Sequence, residues 1–272
     1  MDWILFSKMF AKLSVEELAA KVKQFGLRGV DLAVRPGNPV NPENLKTELK
    51  RAVNVFQAAG LKIPMITAVT NLTDAASDQA TKLFWACADA GVPNIKIGYY
   101  LFDPKRPFGE QLDKARSQLD GFAKVARGSG VRACVHTHSG MYLAPNAGTL
   151  RQLLAGFDPK ELGAYLDPGH LSVAGEPLPL AFGLVKEQLA LVAVKDLAKV
   201  GKGAGSTRAI EVQVTPIGQG QVDWVALKEA FTQVGYNGPC SLHCEYETIS
   251  GTALDSQVLA DIAYLKSVGL MG

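Results

Sequence analysis

At 272 residues, 47% hydrophobic and 20% charged, the chain can bury a sizeable core, as two small domains or as one α/β barrel of roughly 250 residues. A formal charge of +2 lacks the basic excess of a nucleic-acid binder, and no run of about 18 apolar residues offers a membrane span. The start, Met1 to Lys8, has neither a basic n-region nor a small-residue cleavage site, and Cys87, Cys134, Cys240 and Cys244 sit in apolar runs without disulfide or zinc-finger spacing. The expectation is a cytoplasmic protein with reduced thiols.

Trp3 to Phe6 reads as the first strand, ending at Lys8. Ser14-Val15-Glu16-Glu17 is a capping box that opens a helix closed by Gly26. Gly29 to Arg35 reads as strand two, with Asp31, Ala33 and Arg35 on one face and Pro36-Gly37 ending it. A helix from about Pro42 to Ala59 stops at Gly60. Strand three is Lys62 to Thr67, followed by a helix from about Ala76 to Ala90 and a stop at Gly91. Asn94 to Tyr100 reads as strand four. A proline-bearing loop to Gly109 and a long amphipathic helix, Glu110 to Arg127, come next.

The apolar, β-branched run from Val131 ends in Val135-His136-Thr137-His138-Ser139-Gly140 and reads as strand five. Side chains alternate along a strand, so His136 and His138 share a face, and two buried imidazoles there are costly unless each finds a partner. A helix near Thr149 to Leu154 leads to strand six, Gly163 to Asp167, broken at Pro168-Gly169-His170. A helix around Leu178 to Glu187 precedes strand seven, Leu189 to Val194, which ends at Lys195-Asp196. Leu197 to Gln221 is the longest connection and reads as a flexible loop; its Gly201 to Gly205 stretch lacks the ending of a P-loop. Asp223 caps a helix from Trp224 to Val234, strand eight is Cys240 to Cys244, and the last helix spans about Thr252 to Val268. Eight strand–helix alternations without a linker-like shift point to a single (β/α)8 TIM barrel over residues 1–272. The doubly wound alternative lacks a Gly-x-Gly-x-x-Gly after strand one.

Such barrels carry their sites at the C-terminal strand ends. The polar residues there are Lys8, Arg35, Thr67, Tyr100, His136, His138, Asp167 with His170 just beyond, Lys195, His243 and Glu245; all four histidines of the chain are among them. His136, Asp167, His243 and Glu245 offer nitrogen and oxygen donors suited to a divalent cation. Each residue also has a plainer reading. The histidines can be hydrogen-bonded core residues, Asp167 a turn-former, Arg35 a strand terminator, and Lys195 a surface partner of Asp196.

In order, Val-His-Thr-His-Ser-Gly, Tyr-Leu-Asp-Pro-Gly-His-Leu-Ser-Val-Ala-Gly, Val-Lys-Asp, Gly-Gln-Gly-Gln-Val-Asp-Trp and Gly-Tyr-Asn-Gly-Pro-Cys-Ser-Leu-His-Cys-Glu-Tyr resemble the xylose isomerase-like TIM-barrel superfamily. That group includes sugar (phosphate) isomerases and epimerases, hydroxypyruvate isomerases and inosose dehydratases. The resemblance implies one divalent ion (Mn, Mg, Co or Zn) held by Glu, Asp, His and Glu from strands five to eight, two of them also moving the proton. Onto that pattern His136 falls at the first Glu, Asp167 at the Asp, Ala193 at the His, and His243 at the last Glu, with Glu245 two residues later and His170 matching a His after the Asp.

The resemblance thus implies a metal at His136, Asp167 and His243, catalysis by Glu245, His170 and Lys195, and substrate binding by Arg35, Tyr100 and His138. The expected activity is metal-assisted proton transfer beside the carbonyl of a small keto or aldo sugar or polyol, with Glu245 or a histidine as base. Dehydration of a keto-polyol is the alternative, favoured by a histidine at the first Glu position because imidazole serves as acid and base near neutrality. A non-catalytic sugar-binding barrel is the third reading, and Ala193 speaks for it. A DNA-repair nuclease on this fold needs a richer His/Glu set and a basic face. The expected partner is a small-molecule sugar or polyol, with no nucleic acid and no membrane; a homo-oligomer is left open.

Overall fold

The computed structural model describes residues 1–203 and 209–272. Eight parallel strands close into a barrel: β1 (Asp2–Phe6), β2 (Gly29–Ala33), β3 (Lys62–Thr67), β4 (Asn94–Lys96), β5 (Arg132–His136), β6 (Leu162–Leu166), β7 (Leu189–Val194) and β10 (Pro239–Leu242). Each pairs with its sequence neighbour in the barrel, and β10 pairs with β1 to close the ring. The TIM barrel expected from the alternation of elements is the fold.

Helices pack outside, and their starts follow local chemistry. Ser14 and Glu17 form the reciprocal capping box on α1 (Val15–Gln24): Ser14 Oγ accepts from the Glu17 N–H and the Glu17 carboxylate accepts from the Ser14 N–H. Apolar stripes on these helices bury against the outer face of the sheet in one large core. A second, smaller core plugs the barrel axis with Ile4, Met65, Cys134, Tyr165, Leu191 and Ala193. Strand alternation then dictates the mouth. Two residues beyond Met65, Cys134 and Ala193 on the same faces stand Thr67, His136 and Lys195, all buried. An apolar floor and a polar mouth are therefore two layers of one pattern.

Two elements differ from expectation. The stretch Leu197 to Gln221, read as a loop, contains an antiparallel hairpin, β8 (Asp196–Lys202) with β9 (Ala209–Thr215). Alternation in Ile210-Glu211-Val212-Gln213-Val214 was the signal for it. Of the Gly201 to Gly205 stretch, Ala204 and Gly205 lie outside the described residues. Pro168 does not merely break β6: Asp167 accepts from the His170 N–H and caps the helix Pro168–Ala174, with Pro168 in the first turn where its missing N–H costs nothing.

Asp196 fastens the base of the hairpin. Its fully buried carboxylate accepts from the N–H groups of Leu197, Gly218, Gly220 and Val222 at 2.9–3.1 Å. A Cβ on Gly220 would stand 2.1 Å from Asp196 Oδ1, so only glycine allows this approach. Asp196→Ala strands four N–H donors, the Leu197 and Val222 bonds among them buried, and is expected to cost about 3 kcal/mol, read as a lowered urea midpoint.

Candidate active site

The mouth opens into a cavity of about 630 Å³. Arg35, Tyr100, His136, His138, Lys195, His243 and Glu245 line it, while Asp167 and His170 lie behind that wall. The structure thus gathers all nine sequence-predicted residues at one end of the barrel, seven of them on the cavity surface.

Lys195 sits at the centre. Its ammonium lies 3.2 Å from Asp167 Oδ2 and 3.3 Å from Glu245 Oε2. Burial disfavours that charge, but Asp167 and Glu245 outweigh it and hold the lysine above its ordinary range. Asp167 is 0% exposed; burial raises a carboxyl, yet Lys195 first and then the flanking imidazoles hold it well below the usual range. Glu245 receives a second cation, Lys8 at 2.6 Å, and His243 Nδ1 stands 3.3 Å away. Against the effect of burial, Lys195, His243 and Lys8 keep it strongly depressed.

The histidines fall into two groups. His243 stacks on Phe6 with ring centres 4.3 Å apart. Its Nε2 is 3.0 Å from the Tyr165 hydroxyl and 3.6 Å from Asp31 Oδ2. Burial opposes a charge there, but Asp31 and Glu245 raise its pKa, as suits an imidazolium that donates from both nitrogens. Asp31 in turn accepts from Thr67, Tyr165 and Ser241, tying four strands together under the cavity. His136 behaves oppositely. Burial pushes its pKa down to about 3 despite Asp167 nearby, so it is neutral, with Nδ1 3.0 Å from the Tyr99 hydroxyl. His170 is likewise held neutral, first by burial and then by Lys195, and its Nδ1 is 2.9 Å from Ser139 Oγ.

His138 is the partly open imidazole. Its Nδ1 lies 2.9 Å from the Ser139 carbonyl oxygen, which only accepts, so Nδ1 carries the proton and Nε2 keeps a lone pair. Burial lowers its pKa, and Tyr99 and Tyr142 wall the ring at centroid distances of 5.0 and 4.6 Å.

The expected ion at His136, Asp167 and His243 meets a different arrangement. His243 has both nitrogens committed, Ala193 offers only a methyl, and the Lys195 ammonium stands between the two carboxylates. His136 Nε2, His170 Nε2 and Asp167 Oδ2 are buried without hydrogen-bond partners, but Lys195 already balances that carboxylate. A divalent ion about 4 Å from the ammonium would be repelled by roughly 8 kcal/mol at an effective dielectric of 20. Among the described residues no three His, Cys, Asp or Glu side chains are arranged to hold a metal. The donor set does not fit a resident divalent ion.

Sequence reasoning missed Lys96, Tyr99 and Tyr165. Strand β4 ends at Lys96 rather than Tyr100 because the chain turns away there: the Gly98 N–H donates to Leu72 at 2.7 Å and that of Tyr99 to Thr70 at 2.8 Å. A Cβ on Gly98 would lie 2.5 Å from the Leu72 nitrogen. The signal was a lysine set between Ile95 and Ile97 in an otherwise apolar strand.

Comparison with known proteins adds family and fold. No curated protein sequence matches the chain. The 3-keto-D-glucoside 4-epimerase YcjR from E. coli is similar at a TM-score of 0.74 and 15% identity, over 98% of this chain and 99% of that one. The D-psicose 3-epimerase from Clostridium cellulolyticum H10 gives 0.73 and 16% over 100% of both chains. The probable 3-DHS dehydratase AsbF from Bacillus anthracis gives 0.69 and 16%, over 98% and 99%. These identities speak to the fold. The model of the xylose isomerase-like TIM barrel family matches residues 19–268, nearly the whole chain, and the chain belongs to that family.

Proposed function

We propose that the protein is an isomerase/epimerase-like enzyme that moves a proton at the carbon beside the carbonyl of a small keto or aldo sugar or polyol. One observation carries the reading: Lys195, with its fixed ammonium, and His138, whose Nε2 keeps a lone pair, line the same cavity. His138 Nε2 takes the proton from the carbon. The electrons move to the carbonyl oxygen, and Lys195 stabilises the enediolate that forms. Return of the proton from His138 to the neighbouring carbon, with the hydroxyl proton passing to the former carbonyl oxygen, gives the isomer; a proton delivered from water on the opposite face of the same carbon, with His138 giving its own up to solvent, gives the epimer. Glu245, expected as the base, has its oxygens held by Lys8 and Lys195, which lowers its basicity. Its role here is to position Lys195. His136 and His170 sit beside Asp167 as neutral groups, and Tyr100, whose buried hydroxyl has no partner, is left to bind a substrate oxygen. The neighbours named as sugar epimerases support this reading by analogy, and AsbF keeps elimination of water in view.

The test is incubation of the protein with keto-sugars, aldo-sugars and inososes in D2O. Deuterium in a product of otherwise unchanged formula supports the proposal, and loss of water moves the reaction to dehydration. Binding without exchange leaves only a sugar-binding barrel. His138→Gln is expected to slow exchange by roughly 10²–10⁴. In parallel, elemental analysis is expected to find no stoichiometric Mn, Mg, Co or Zn. A bound equivalent would overturn the assignment of Lys195 as the electrophile.

A further inference from the structure

Among the described residues that line the cavity, the basic side chains of Lys96 and Arg35 have no ion-pair partner. Lys96 is 2% exposed, lines the cavity, and its Nζ has no hydrogen-bond partner. The contact made by its ammonium is with the Tyr99 ring, whose centre is 3.4 Å away. Arg35 rests over Phe6 at 5.8 Å, and its buried Nε is also without a partner. Among the described residues neither side chain has a carboxylate within ion-pair distance; every ion pair at the mouth involves Lys8, Lys195 or a histidine. Asp31, Asp167 and Glu245 are all engaged elsewhere. A contact with an aromatic face returns only part of the cost of burying a cation, so Tyr99 alone does not account for Lys96.

We infer that Lys96 and Arg35 form a subsite for a carboxylate, so that the substrate of the cavity is a sugar acid or keto acid rather than a neutral sugar. This rests on the cavity being the substrate site proposed above. Two cationic donor groups match the two oxygens of a carboxylate, and the anion supplies the missing charge and acceptors together. The groups facing Lys96 are Arg35, Asp31, Glu245, Lys195 and Tyr99. Burial and then repulsion by Arg35 make the lysine release its proton readily, and a bound carboxylate reverses that balance. Binding therefore takes up a proton.

Isothermal titration of the full chain with D-gluconate, 2-keto-D-gluconate and hydroxypyruvate, against neutral D-fructose and D-psicose and against inorganic phosphate, tests this. At least one carboxylate is expected to bind tenfold or more tightly than the neutral sugars, with a proton uptake seen as a heat that changes with buffer ionisation enthalpy. Lys96→Met and Arg35→Gln are each expected to erase that preference. Lys96→Met should also raise the melting temperature of the free protein by about 2–4 °C, because it removes a buried amine that has no hydrogen-bond partner; a purely structural lysine would lower it. Equal binding of acids and neutral sugars, no binding of any acid, or a preference that survives both substitutions overturns the subsite. Tighter binding of inorganic phosphate overturns its assignment to a carboxylate. A protein that exchanges deuterium into neutral keto-sugars without favouring acids loses this inference and keeps the reaction; one that favours acids but exchanges nothing keeps the subsite and loses the reaction.

Discussion

Lys195→Met is expected to destabilise the protein by about 3–5 kcal/mol at neutral pH and to cut proton exchange by roughly 10²–10³. The two effects share one cause. Asp167 is fully buried and Lys195 is the permanent cation beside it, since His136 and His170 are neutral. Removing the ammonium leaves a bare carboxylate in the barrel mouth, which is costlier than never having had the pair. Without Lys195 the pKa of Asp167 rises, so the loss is full at neutral pH and shrinks as pH falls through that raised value. Asp167→Asn in the Lys195→Met background should recover most of the unfolding free energy but none of the exchange. Stability and activity recovering together would mean that Lys195 acts only by holding the fold.

The barrel was legible because its signals are local and repeated. Period-two apolar runs, a capping box at Ser14 and glycine stops at Gly26, Gly60 and Gly91 each act within one element, and eight of them admit one closure. The candidate site was legible as positions, since strand ends follow from strands. Its charge states were not. His136 and His243 look alike in sequence, yet one is neutral and the other leans toward an imidazolium, because Asp31 on another strand and Glu245 two residues on face His243. Lys96 was hidden by a four-residue error in where β4 ends, which put Tyr100 at the strand terminus. The hairpin of β8 and β9 was hidden by its glycines, which read as loop although the second strand alternates.

That contrast between histidines predicts a stability maximum near pH 6.5. His136 and His170 have folded pKa values below their unfolded ones, so the stability they allow is complete above about pH 6.5. Below it the unfolded chain binds protons that His136, His170 and His138 refuse in the folded chain. His136 then costs about 1.4 kcal/mol per pH unit, and its loss continues toward its folded value of about 3. Between pH 6.5 and pH 5 His136 alone should remove about 2 kcal/mol, and His170 and His138 add to the loss with the same sign. His243 has the opposite sign. Its raised pKa gives a contribution that is full below about pH 6.5 and is lost as pH rises through the folded value, so it shapes the alkaline limb and leaves the acid one alone. Unfolding midpoints measured in urea from pH 4.5 to 9 separate these terms. His136→Asn is expected to make the acid limb shallower by up to about 1.4 kcal/mol per pH unit, and His243→Asn to flatten only the limb above pH 6.5. An acid limb of undiminished slope in His136→Asn would mean that His136 carries its proton in the folded protein, and the neutral imidazole beside Asp167 would have to be given up.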